Sequence, residues 1–240
     1  MKYLFNKFTD YFKEIIYGGI DGIVTTFAVV AGFSGSALPG DKMTDLSFMV
    51  VLLFGLANLF GDAASMGLGN FLSVRSEKSL YESYRQRELV RVQNNVPEEI
   101  QETKSILTEK GFSESEASAL SNLYKSNKEY WLDFIMSHKL KMSDPRGENE
   151  FLTGFATFLS FVVFGAIPLL PFLFKVSNSS QAFLFSTLAT GLALILLGLL
   201  KWRVIGGQLM SSLVEVLTVG STAAVLAYFV GTFFDLNNSI

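Results

Sequence analysis

Five runs of about twenty apolar residues each constrain this chain more than any other feature, because a helix of that length crosses the hydrocarbon of a bilayer. They fall at roughly Ile15–Leu38, Leu46–Val74, Phe151–Phe174, Ala182–Leu200 and Leu209–Phe234. Half of the 240 residues are hydrophobic and 23 are phenylalanine, too apolar a balance for an ordinary soluble domain. The expected fold class is therefore an all-α membrane protein of five transmembrane helices, with a helical module between the second and third. No cysteine is present, which removes disulfides, thiolate metal sites and cysteine nucleophiles; a soft metal ligand has to be a methionine sulfur or His138. The N-terminal MKYLFNKFTDYFKEI reads as an amphipathic lead-in and not as a removed signal.

The polar stretch from Arg75 to Glu150 holds most of the charge and divides the chain into residues 1–74, a separate module at 75–150, and 151–240. EKSLYESYRQRELVRVQ continues helically from span two until Val96-Pro97. Proline and acids then open a second helix that Gly111 stops, Ser113-Glu-Ser-Glu caps a third, and KEYWLDFIMSHKLK makes a fourth. Positive residues orient the chain. With the N-terminus cytoplasmic, Lys2, Lys7, Lys13, the whole 75–150 module, Lys201 and Arg203 are inside, only Lys42 and Lys175 are outside, and the C-terminus is external. A bacterial-type inner membrane is the expected location.

Ionisable side chains within a bilayer cost about 2.5–3.5 kcal/mol each on insertion scales, so those present are functional candidates. Here they are Asp21, Asp62 and Glu215, with Glu14 at the mouth of span one. All are acids, and no Lys or Arg within a span is expected to pair with them, which leaves a cation or a proton as partner. Asn58, Asp62 and Met66 recur every four residues and stack along one helical face, bordered by Ser65. Oxygen ligands with one sulfur suit a first-row transition ion better than Na⁺ or Mg²⁺. Glu14 and Asp21, seven apart, share a face of span one. Glycines flank both acids, Gly18, Gly19 and Gly22 in one span and Gly61, Gly67 and Gly69 in the other, and small residues let helix backbones approach.

The segments YGGIDGIVTTFAVVAGFSG (17–35), LANLFGDAASMGLGNFLSVRSE (56–77), FLSFVVFGAIPLLPFLF (158–174) and AAVLAYFVGTFF (223–234) resemble the vacuolar iron transporter family in its bacterial-like form. The resemblance covers essentially the whole chain. It implies a five-span protomer, a homodimer with the ion path at the dimer interface, and export of Fe²⁺ from the cytoplasm in exchange for protons. The family's span-one aspartate falls on Asp21, its span-two methionine on Met66, and a second acid on Glu14. Plant and fungal members carry a glutamate where this chain has Asn58, and a small residue where it has Asp62; the carboxylate is read as moved by one turn.

For the module, the resemblance implies a metal-binding domain in which Glu88, Glu99 and Glu102 match ligand positions and Met136 matches a methionine. Arg91 and Lys139 stand where further glutamates are expected, which would weaken a multi-iron cluster; His138 and Asp133 are near enough in sequence to substitute. Otherwise the module is a dimerisation stalk with a reduced capture role. The functional expectation is thus a proton-coupled Fe²⁺ exporter, with Mn²⁺, Co²⁺ or Zn²⁺ as other possible cargoes and a membrane-anchored metal sensor as the competing class. Nothing resembles a hydrolase or a phosphate-cradling loop. Neither enzymatic activity, a nucleic-acid partner nor a tightly bound cofactor is expected, the metal being substrate.

Overall fold

The computed structural model describes residues 11–35, 45–174 and 179–238. Nine α-helices and one 3₁₀ turn are found among these residues, and no strand. They are α1 (Phe12–Gly35), α2 (Asp45–Asn94), α3 (Val96–Glu109), α4 (Glu114–Ser126), α5 (Lys128–His138), α6 (Glu150–Gly165), α7 (Leu170–Leu173), α8 (Ser179–Ile205) and α9 (Leu209–Asn238). Five stretches are long and apolar enough to cross a membrane: Phe12–Ser34, Phe48–Asn94, Glu150–Leu173, Gln181–Ile205 and Leu209–Phe233. The chain is an integral membrane protein with the all-α, five-span architecture that the apolar runs predict. It divides into two compact units, one of residues 1–71 and 151–240 and the other of 72–150.

Within the first unit, glycines set the helix spacing. A Cβ on Gly18 would lie 2.8 Å from the Thr157 carbonyl oxygen, and one on Gly22 would run into the Phe161 backbone, so α1 meets α6 almost backbone to backbone. Gly67 does the same for α2, where a Cβ would stand 2.9 Å from the Gly154 carbonyl oxygen. Polar side chains join the same helices, Asn70 Nδ2 donating to Thr157 Oγ1 at 2.8 Å and Ser160 Oγ to the Ile15 carbonyl at 2.6 Å. Gly61 and Gly69 differ: nothing lies within 4 Å of a Cβ at either, so these two do not serve packing within the protomer. The apolar core is built around Phe27, Val30, Leu59, Phe161 and Phe172 from α1, α2, α6 and α7, and a second cluster joins Ile23 to Leu194, Leu197 and Val216 of α8 and α9.

Span three is not one helix. Pro168 lacks the N–H that would continue the ladder, and α6 stops at Gly165, passing through a 3₁₀ turn at Ile167–Leu169 into the single turn of α7. Ser186 Oγ of α8 donates to the Pro168 carbonyl at this break, at 2.7 Å.

The 72–150 unit follows its start and stop signals. Pro97 occupies the first turn of α3, Gly111 after it has φ +99°, and Ser113 and Glu116 form a reciprocal capping box at the start of α4. Its core gathers Val92, Trp131 and Ile135 in one cluster and Leu107, Ala117 and Phe134 in another. Trp131 Nε1 donates to Thr103 Oγ1 at 2.8 Å, fixing α5 against α3. The last helix ends at His138, three residues short of the apolar-periodic stretch KEYWLDFIMSHKLK, because Lys141 takes a left-handed φ of 54°.

Candidate functional site

α1 and α2 each carry one polar face through the span unit. On α1, Glu14, Asp21 and Ala28 are spaced by seven residues, two helical turns, and so lie on one side. On α2, Asn58, Asp62 and Met66 do the same at one-turn spacing. The structure brings these faces into register: Ala28 and Asn58 line one groove together with Phe33, Phe54 and Val230, and Asp21 and Asp62 lie near enough for their charges to act on each other. The order follows from α1 and α2 running antiparallel, so that positions later in one meet positions earlier in the other.

Both aspartates are half-buried, and neither has a Lys or Arg partner among the described residues. Glu14 Oε2 is buried and has no hydrogen-bond partner among the described residues. Two neighbouring carboxylates and an unsatisfied third cannot all stay ionised and bare in a low-dielectric setting; protons or a bound cation have to take up the charge. Met66 is half-buried and packs on the Leu59, Ala63 and Phe161 cluster, and Ser65 beside it is exposed.

Glu215 behaves differently from the expectation that span acids have no cationic partner. Lys201 of α8 donates to one of its carboxylate oxygens and Ser211 Oγ to the other at 3.1 Å. The pairing brings together residues fourteen apart on α8 and α9, whose short connection at 206–208 places the two helix ends side by side. Glu215 is a satisfied and largely exposed ion pair.

In the 72–150 unit the structure gathers Glu88 of α2 and Glu99 and Glu102 of α3, as the ligand pattern implies, but around an ammonium. Lys139 Nζ lies 3.1 Å from Glu88 Oε2, 3.1 Å from Glu99 Oε1 and 2.5 Å from Glu102 Oε2, and Arg91 Nη1 adds a 2.9 Å contact to Glu88. Glu88 and Glu99 are buried. Burial pulls the Lys139 ammonium towards neutrality, yet hydrogen bonds to Glu102, Glu99 and Glu88 outweigh it and hold its pKa above the ordinary lysine value. Burial raises Glu99, against the opposing pull of Lys139. Met136 is fully buried in the core. His138 is exposed, its ring stacked on Phe134 at 4.4 Å with Nδ1 against the Phe134 carbonyl oxygen. The expected metal set at Glu88, Glu99, Glu102, Met136 and His138 is therefore not assembled as an open cation site, because a lysine from the end of α5 reaches its centre, Met136 lies in the core and His138 stacks on Phe134.

Asp133, the other proposed substitute, faces Arg85 at 3.6 Å and Arg146 at 3.5 Å. It belongs to a second network that periodicity did not single out, in which Arg146 pairs with Asp144 at 2.6 Å and lies over the Tyr81 ring. The Arg146 guanidinium holds Asp144 down to about 2. The Asp144-Pro145-Arg146 turn could have drawn notice as a local acid and base pair; its long-range partners could not.

Comparison with known proteins places these features. The VIT family model matches residues 12–232, covering all five spans and the 72–150 unit. The chain belongs to the VIT family. It is 34% identical over 239 residues to a protein named vacuolar iron transporter from Toxoplasma gondii, covering 96% of this chain and 76% of that protein. It is 33% identical to vacuolar iron transporter 1 of Oryza sativa subsp. japonica, over 90% of this chain and 82% of the other, and 32% identical to vacuolar iron transporter 1 of Arabidopsis thaliana, over 90% and 83%.

Proposed function

We propose that this VIT-family chain is a divalent transition-metal transporter that carries Fe²⁺ out of the cytoplasm in exchange for protons. The observation that carries the reading is the pair Asp21 and Asp62, half-buried carboxylates of the span unit near enough for their charges to interact, with no Lys or Arg partner among the described residues. Carboxylates that bind either a metal or protons couple the two by competition, since each must lose its proton to take the metal. Glu14, with its buried unsatisfied oxygen, draws the ion in from the cytoplasmic end; Met66 adds a sulfur that favours Fe²⁺ over Mg²⁺ or Ca²⁺. The relatives' names, vacuolar iron transporter, support iron as cargo.

A homodimer fits the outer surface of α2. Ala57, Gly61, Ser65 and Gly69 recur every four residues, all are exposed, and the two glycines have open space beside them. This is the small-residue seam through which two membrane helices approach closely. Lys13, Arg75, Lys78, Arg146, Lys201 and Arg203, all close to span ends, support a cytoplasmic N-terminus and module.

Reconstitution into proteoliposomes, with uptake of Fe²⁺, Mn²⁺, Co²⁺, Zn²⁺ and Mg²⁺ measured under imposed pH gradients, tests the proposal. Fe²⁺ flux that rises with an opposing proton gradient and disappears in Asp21→Asn is the expected result. Metal carriage by Asp21→Ala and Met66→Ala at the wild-type rate would sink the site assignment, and flux indifferent to the gradient would sink the coupling.

A further inference from the structure

Three carboxylates converging on one point from two helices are what a divalent cation asks for, and in the 72–150 unit that point is filled by the chain itself. Lys139 Nζ touches Glu88, Glu99 and Glu102 at 2.5–3.1 Å. Its side chain is 13% exposed and those of Glu88 and Glu99 are 4% and 6% exposed, so the ammonium is enclosed on their side, while Glu102, 47% exposed, closes the cluster towards the surface. Position and direction are both built. Lys139 caps the C-terminus of α5, where a positive charge meets the negative end of the helix dipole, and its backbone N–H closes on the Ile135 carbonyl. Trp131, two turns earlier on α5, is anchored to Thr103 of α3, whose hydroxyl sits one residue from Glu102. Arg91 neutralises a further share of the Glu88 charge. A metal ion bonding these oxygens at about 2.0–2.6 Å would have to expel the ammonium from the same volume.

We infer that Lys139 is an internal counter-ion standing in the place of a divalent metal, so that the 72–150 unit closes around its own ammonium and takes no metal at Glu88, Glu99 and Glu102. The unit's packing is then independent of metal supply, whatever the spans carry. The inference does not rest on the proposed cargo, since the ion pairs belong wholly to the 72–150 unit.

The test is Mn²⁺ binding to the full-length protein in detergent, counted by electron paramagnetic resonance, so that any ion held in the spans contributes equally to each variant. Wild type and Glu102→Gln are expected to bind the same number of Mn²⁺ ions. Lys139→Met, whose apolar side chain keeps the length without the charge, is expected to bind one more, and Lys139→Met combined with Glu102→Gln to bind it at least tenfold more weakly. Loss of an Mn²⁺ equivalent on Glu102→Gln alone would overturn the inference, as would a folded Lys139→Met protein that gains none. Should Lys139→Met not fold, hydrogen exchange of residues 88–102 in the wild type decides: equal protection in EDTA and in Mn²⁺ supports the internal counter-ion, and protection that depends on Mn²⁺ overturns it.

Discussion

The span unit and the 72–150 unit both collect carboxylates from neighbouring helices, and they resolve the resulting charge in opposite ways. In the 72–150 unit, Glu88, Glu99 and Glu102 surround Lys139, a cation bonded covalently to the same chain. In the spans, Asp21 and Asp62 lie near enough for their charges to interact and have no lysine or arginine partner among the described residues, where Glu14 likewise keeps one buried oxygen without a hydrogen bond. Buried negative charge needs a partner in either setting. A tethered partner makes a lock, whereas an untethered one can enter and leave, and on the proposed function that difference separates a structural unit from an ion path. Glu215 shows that the spans can build the first solution too: with Lys201 and Ser211 on it, this acid is held in a fixed pair.

Removing the untethered pair should have the largest effect. Asp21→Asn and Asp62→Asn, singly, are expected to lower metal flux in proteoliposomes by about a hundredfold, the upper end of what even a supporting group costs a metal site. Glu215→Gln should change flux by far less, and equal losses in all three would erase the distinction between paired and unpaired acids.

Breaking the lock should come next. Lys139→Met leaves Glu88 buried against Arg91 and Glu99 buried with no other cation contact among the described residues, and is expected to destabilise the 72–150 unit by about 3 kcal/mol, the scale of an orphaned buried charge. Denaturant unfolding followed by Trp131 fluorescence, in a Trp202→Phe background, reads this directly. An unchanged midpoint would show that the ion pairs add nothing to the fold.

The same pairs set an alkaline limit. The folded pKa of Lys139 lies above its unfolded value of 10.5, so its contribution is fully present below about pH 10.5 and is lost as pH rises through the raised folded value. Asp144 has the opposite sign: held at about 2, its contribution is present above 3.8 and fades as pH falls towards 2. The Asp144 effect should be the weaker, because its pair with Arg146 is half exposed. Trp131 fluorescence across pH in moderate denaturant would check both limbs. Smallest is the helix start at Ser113, where Ser113→Ala removes the capping box and should cost about 1 kcal/mol in the same unfolding assay, without touching metal flux.

The fold was legible because its controlling signals are local. Apolar length marks a span, Pro97 and Ser113 open helices, and Gly111 ends one, each through backbone chemistry within a turn or two. Even so, the 3₁₀ break at Ile167–Leu169 was hidden within a run whose mean hydropathy reads as one continuous span. The site was legible in part. Helical spacing put Asp62 with Asn58 and Glu14 with Asp21, since a face is a property of one helix.

What the sequence determined by itself is the five-span helical class, the separation of a charged unit from an apolar one, and the identity of the acids that have to be accounted for. Tertiary structure decided which acids are free and which are spent. Lys139 is 51 residues from Glu88 and 40 from Glu99, and Lys201 is 14 from Glu215 on a different helix. Charge pairing is settled over about 3–4 Å of space, and helical periodicity names the face a residue occupies but not the side chain that a second helix will bring against it.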